Sequence, residues 1–111
     1  MITERNAKRA KYLLEAFAIP VVEKYLHDYN ITIEHIDDLV DECALTHSDV
    51  IAWYAGDAIA SHDYDEPEAG LHRVFTQNDI NILGDLAVEA VAPNTYLSAA
   101  HSRERQLIFG K

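Results

Sequence analysis

Six histidines and nineteen carboxylates are the side chains of this 111-residue chain best suited to chemistry. Metal binding is the first use to consider. The densest cluster is His62-Asp63-Tyr64-Asp65-Glu66-Pro67-Glu68. A calcium loop of the EF-hand type places oxygen ligands at positions one, three, five and twelve, with glycine at six. Counted from Asp63, position five is Pro67, position six is Glu68 and position twelve is Val74, so the pattern fails. No His-Glu-x-x-His is present, and His27, His35, His47, His62, His72 and His101 include no pair four apart. Nucleophilic chemistry fares no better. Ser48, Ser61, Ser98 and Ser102 sit in no nucleophile elbow. Cys43 is the single cysteine, which excludes an internal disulfide and a Cys-based zinc site. The four glycines are too scattered to cradle a phosphate. The expectation is a chain that is no enzyme, with no catalytic residue, metal or cofactor.

Charge is the stronger signal. The net charge is −10, and it is concentrated. Residues 34–89 hold fourteen acids against one base, Arg73, a balance of −13. Residues 1–33 carry +1 and residues 90–111 carry +2. Such a chain does not hold nucleic acid through a basic patch, nor an anionic membrane through charge attraction. The acidic middle is either a solvated face that keeps a small protein in solution or a surface meant for a basic partner.

Within it, Glu34, Asp38 and Glu42 form one i, i+4 row, and Asp37 and Asp41 a parallel one. Each step along a row rises roughly 6 Å. Like charges so placed destabilise a helix by about 0.2–0.5 kcal/mol per pair. The helix dipole favours Glu34, Asp37 and Asp38 in the first turns, but not Asp41 and Glu42. No lysine lies between Lys24 and Lys111 to relieve the repulsion. Fixed rows at this spacing suit a groove built for phosphates. The loop acids Asp63, Asp65, Glu66 and Glu68, with Asp49, extend the candidate partner-binding surface. Trp53-Tyr54 is expected in the core, with an interface anchor as the alternative. Tyr25, Tyr29, Tyr64 and Tyr96 add amphipathic contact area.

The elements that position these residues read as helices almost throughout. A first helix is expected from about Thr3, as N-cap, to Ala18, with Ala10, Leu13, Leu14, Phe17 and Ala18 as its stripe. Pro20 should break or kink it and open a second helix running to Tyr29, with Asn30 as a stop. A third starts near Thr32 and buries Ile33, Ile36, Leu39, Val40 and Cys43. A fourth, capped by Ser48, runs from Asp49 to about Ala60. Residues 62–70 read as a polar loop. Thr76 and Asp79 approximate a capping box for a helix from Gln77 to Val91, in which Gly84 permits a close crossing. A last helix spans Tyr96 to about Phe109. The chain is thus expected to be all-α, a single compact domain over residues 1–111 built as a bundle of five or six short helices. Core positions are Leu13, Phe17, Val22, Leu26, Ile36, Leu39, Val40, Ile51, Ile80, Leu83, Leu86 and Leu97. No apolar run reaches the roughly 20 residues of a membrane span, and the start of the chain lacks the apolar run of a secretory signal. A cytoplasmic location is expected.

From Asp37-Asp38-Leu39-Val40-Asp41-Glu42 through Trp53-Tyr54-Ala55-Gly56-Asp57, the chain resembles small acidic proteins encoded by bacteriophages. Those show an acidic helix, a His/Asp turn and a Val-Ile-x-x-Tyr helix, matched here by Thr46-His47-Ser48-Asp49-Val50-Ile51-Ala52-Trp53-Tyr54. Residues 36–66 are also similar to the overcome-restriction proteins of phages, acidic helical dimers that imitate DNA. The end of the chain, His101-Ser102-Arg103-Glu104-Arg105-Gln106, lacks their acidic tail, which favours a narrower inhibitory surface. The resemblance implies a phage or mobile-element inhibitor, of the anti-restriction or anti-CRISPR type, acting in a bacterial host cell. Its partner would be a host or defence protein with a basic nucleic-acid-binding groove. The alternatives are a small helical interaction module and a small metal binder or enzyme. A homodimer through the less acidic ends is expected.

Overall fold

A computed structural model describes residues 1–31, 47–65, 75–92 and 101–110. These residues form helices and no strand. They are α1 (Ala7–Leu13), a π-helical turn (Leu14–Ala18), α2 (Ile19–Asp28), α3 (His47–Asp65), α4 (Gln77–Val91) and α5 (Ser102–Phe109). The all-α expectation holds among them. The expected helix from Thr32, with Ile36, Leu39, Val40 and Cys43, lies outside the described residues, as do Tyr96 and Leu97.

α1, the π turn and α2 run as one continuous rod, because the residues at both junctions keep right-handed helical dihedrals. Pro20 does stand in the first turn of the expected second helix, which ends before Tyr29, but no break separates that helix from the one before it. A proline inside an α-helix lacks the N–H for its bond and crowds the carbonyl four residues back. The wider π turn ends immediately before Ile19-Pro20 and accommodates both problems. It also serves the burial pattern. Ala10, Leu14, Ala18, Val22 and Leu26 are all buried and are spaced by fours. At 3.6 residues per turn, each such step drifts roughly 40° around an α-helix. The π turn takes up part of that drift, so one stripe faces the core along the whole rod. The rod begins at Ala7 rather than near Thr3. Asn6 orders the segment before it, since its Oδ1 accepts from the Thr3 N–H at 2.7 Å and its Nδ2 donates to the Met1 carbonyl at 3.0 Å. Asn30 ends the rod in the left-handed conformation, φ 53°, where asparagine is better tolerated than most residues.

The tightest packing joins α3 to α4. Ile51, Ala52, Ala55, Gly56 and Ile59 of α3 are buried, as are Ile80, Leu83, Gly84, Ala87 and Val88 of α4. A Cβ added at Gly84 would come within 2.3 Å of the Ala52 carbonyl oxygen, so the two backbones meet there. This crossing sorts α3. Ala52 and Gly56 take the point of contact with Gly84, Ile51 and Ile59 are buried on the same side, and the large rings Trp53 and Tyr54 turn outward, 66% and 52% exposed. Their expected place in the core is thereby corrected. α3 also extends to Asp65, so residues 62–65 are helix, not loop. No proline or second glycine interrupts the chain between Gly56 and Pro67.

α4 has the predicted bounds. Thr76 accepts from the Asp79 N–H at 3.1 Å while Asp79 accepts from the Thr76 N–H at 3.0 Å, a complete capping box. α5 starts at Ser102, later than expected, because His101 adopts the left-handed conformation, φ 55°. Of the expected core residues, Leu13, Val22, Leu26, Ile51, Ile80, Leu83 and Leu86 are buried and Phe17 is half-buried.

Candidate functional site

The outer face of α3 follows from its inner one. With Ile51, Ala52, Ala55 and Ile59 turned to the core, the i, i+4 series Asp49, Trp53 and Asp57 falls on the outside. Asp57 is exposed and Asp49 half-buried. Beside this stripe, the close crossing brings up Asn81 and Asp85 of α4. Asp49, Ala52, Trp53, Asn81 and Asp85 line a cleft of about 260 Å³. Asp85 Oδ2 also meets Nε2 of His101 at 2.9 Å, which ties the start of α5 to α4.

A second exposed feature lies along the seam of α2 and α3. Tyr25 stacks on Tyr29, ring centres 4.5 Å apart, and lies 5.6 Å from Tyr54. These rings with Val21 and Ala58 floor an open groove of about 500 Å³ whose rim carries Lys24, Asp28, Asp57 and Ser61. Lys24 and Asp28 form an i, i+4 ion pair. Their hydrogen bond raises the Lys24 pKa and lowers that of Asp28, and both residues are exposed. Higher on the rod, Phe17 stacks on His62 at 4.1 Å and Tyr12 meets Phe17 edge-on at 6.0 Å.

The buried charges hold the frame rather than face a partner. Asp79 is buried, yet its Oδ2 meets the α-ammonium of Met1 at 2.7 Å. Burial opposes ionisation of Asp79, but the ammonium and the Thr76 N–H outweigh it and hold the carboxyl below its ordinary value of 3.8. Glu89, also buried, pairs with Arg105 and fixes α5 against α4.

Of the sequence-predicted partner-binding residues, Asp49 lies on this face. Asp63 and Asp65 belong to the last turn of α3 by their backbone, so their expected loop setting is corrected. Glu34, Asp37, Asp38, Asp41, Glu42, Glu66 and Glu68 lie outside the described residues. Sequence reasoning did not single out Asp57, Asn81 or Asp85, although the spacing of Asp49, Trp53 and Asp57 was a usable signal. Among the described residues, no three His, Cys, Asp or Glu side chains gather as metal ligands, and no helix is long and apolar enough to cross a membrane. No family model, curated protein or solved structure matches the chain.

Proposed function

We propose that this chain is a protein-interaction module that docks an acidic, tryptophan-bearing face on a basic surface of its partner. The observation that carries the reading is Trp53, two-thirds exposed in the middle of the Asp49–Trp53–Asp57 stripe. A tryptophan held out on a rigid helix and flanked by carboxylates suits an interface anchor, because buried tryptophans dominate binding energy while surrounding charges set approach and orientation. The same stretch of sequence, residues 34–89, carries a balance of −13. In its most specific form, the reading is a phage or mobile-element inhibitor acting in the bacterial cytoplasm, which occupies the basic groove of a restriction, CRISPR or other nucleic-acid enzyme. The stacked tyrosines of the α2–α3 seam favour a second reading, a regulatory module that pairs with its own copy through that apolar floor.

The test is affinity capture from a bacterial lysate with two baits, the natural chain and the Trp53→Ala/Asp57→Asn variant. The proposal expects a protein retained by the first, released as salt rises, and lost from the second. Equal retention by both baits, insensitive to salt, removes it. Sedimentation over micromolar concentrations tests self-association.

A further inference from the structure

We infer that α5 is a latched strap, which opens from the body as a unit and is held shut by two polar rungs to α4. Docking and helix formation are one event here, because α5 is a poor helix by itself. It has eight residues, short of the roughly 12–15 at which an isolated helix becomes even marginal in water. His101 at its N-cap makes no side-chain capping bond and stands in the left-handed conformation, φ 55°, which a residue with a Cβ adopts at a cost. Arg103 and Arg105 sit in its first half, where the helix dipole disfavours cations. Ile108 is buried, Leu107 and Phe109 are half-buried, and Ser102, Arg103 and Gln106 are exposed. Away from the body, the segment loses its helix along with its contacts.

The rungs close on the first turn of this helix. Asp85 Oδ2 meets His101 Nε2 at 2.9 Å, and Glu89 pairs with Arg105. Asp85 and Glu89 are four apart on α4, as are His101 and Arg105 at the start of α5. Both rungs join residues sixteen apart in sequence, so the two rows run parallel, about one helical turn between rungs. The first rung pins the left-handed residue that leads the chain into α5. The second pins Arg105, whose N–H donates to the His101 carbonyl at 2.9 Å and so closes that turn. Forming a first turn is the costly step of any helix, and the rungs act there. The latch does not depend on the interaction reading above, but the two meet at Asp85, which also lines the cleft beside Trp53. Opening of the strap returns that carboxylate to the candidate face.

Native-state hydrogen exchange followed by NMR tests the strap on the full chain, with Asp85→Ala and His101→Asn as variants. Alanine raises the helix propensity of α4 and asparagine tolerates the left-handed conformation, so each removes the first rung without straining its own backbone. The amides of Arg105 through Gly110 should exchange as one group, at least about tenfold faster than those of Leu83, Ala87 and Val88 in α4, as a locally opening unit does. Each variant should speed the α5 group by about fivefold, the scale of one hydrogen bond, and leave the α4 amides within about twofold. In the natural chain, molar salt should speed the α5 group by about threefold without moving α4, because it screens the rungs. Amides of α5 that are as slow as those of α4, or that change together with them in every variant, overturn the strap. A fast α5 group that neither variant nor salt accelerates overturns the latch.

Discussion

Gly84→Ala is the change with the clearest arithmetic. In a helix interior, alanine is favoured over glycine by about 1 kcal/mol, so on propensity alone the variant should be more stable. The crossing reverses the sign. The new Cβ would stand 2.3 Å from the Ala52 carbonyl oxygen and 3.3 Å from the Gly56 nitrogen, both backbone atoms with no rotamer to escape into. Real Cβ atoms essentially never approach below 3.0 Å, so α3 and α4 must part by about 0.7 Å. That separation loosens Ile51, Ala55 and Ile59 against Leu83, Ala87 and Val88, all buried. Overpacking of this kind costs roughly 1–3 kcal/mol, and here it exceeds the propensity gain. Gly56→Ala is the control. Its Cβ would meet the Ile80 carbonyl oxygen at 3.4 Å and the Ile80 Cγ2 at 3.5 Å, ordinary contacts. It should keep most of the alanine advantage, stabilising by about 0.5–1 kcal/mol. Thermal unfolding followed by circular dichroism reads both, at roughly 4 °C per kcal/mol for a chain of this size. The order expected is Gly56→Ala highest and Gly84→Ala lowest. A Gly84→Ala variant that melts at or above the natural chain would refute the close crossing.

Further perturbations follow from the buried charges and the exposed rings. Asp79→Asn removes the partner of the Met1 ammonium and weakens the capping box, and should destabilise by about 1–2 kcal/mol in chemical denaturation. Because the folded Asp79 carboxyl titrates below 3.8, its stabilisation is complete above that value and disappears as pH falls through the lower folded value. Stability of the natural chain should therefore drop more steeply with acid than that of Asp79→Asn. Arg105→Met strands buried Glu89 and should cost roughly 2–4 kcal/mol, whereas Glu89→Leu with Arg105→Met should recover most of the loss, as a double-mutant cycle will show. Trp53→Ala should leave the melting temperature within about 2 °C, since an exposed ring contributes little to the fold, while abolishing partner capture.

The contrast between α4 and α3 explains what the sequence made legible. α4 carries its own punctuation: a threonine cap, an aspartate three residues on, and apolar residues at helical spacing. Every one of those signals is local, and its bounds could be read directly. α3 is apolar nearly all round at Val50-Ile51-Ala52-Trp53-Tyr54-Ala55, so periodicity could not say which side is buried. That choice is made by a glycine about thirty residues away, which admits only small side chains to the crossing and expels the rings. The candidate face inherits the same dependence. Asp49 was visible as an acid, but its grouping with Asp85 and an exposed Trp53 exists only once α4 lies across α3. The continuity of the first rod was hidden for a different reason. Pro20 is a reliable obstacle to an α-helix, and nothing in its immediate neighbours announces a turn wide enough to pass it.

That π turn also couples two kinds of sequence change. It behaves as a helix carrying one surplus residue, placed four positions ahead of a ring that needs the extra room. Deleting exposed Ala16 alone would restore an ordinary pitch and bring the Pro20 ring against a carbonyl. Exchanging Pro20 for alanine alone would leave a wide turn with no occupant to justify it. Made together, the deletion and the exchange regenerate a plain helix with the residues on either side near their original phase. Natural variants of this chain should therefore carry both alterations or neither, and a length difference of one residue in the rod should travel with the identity of residue 20.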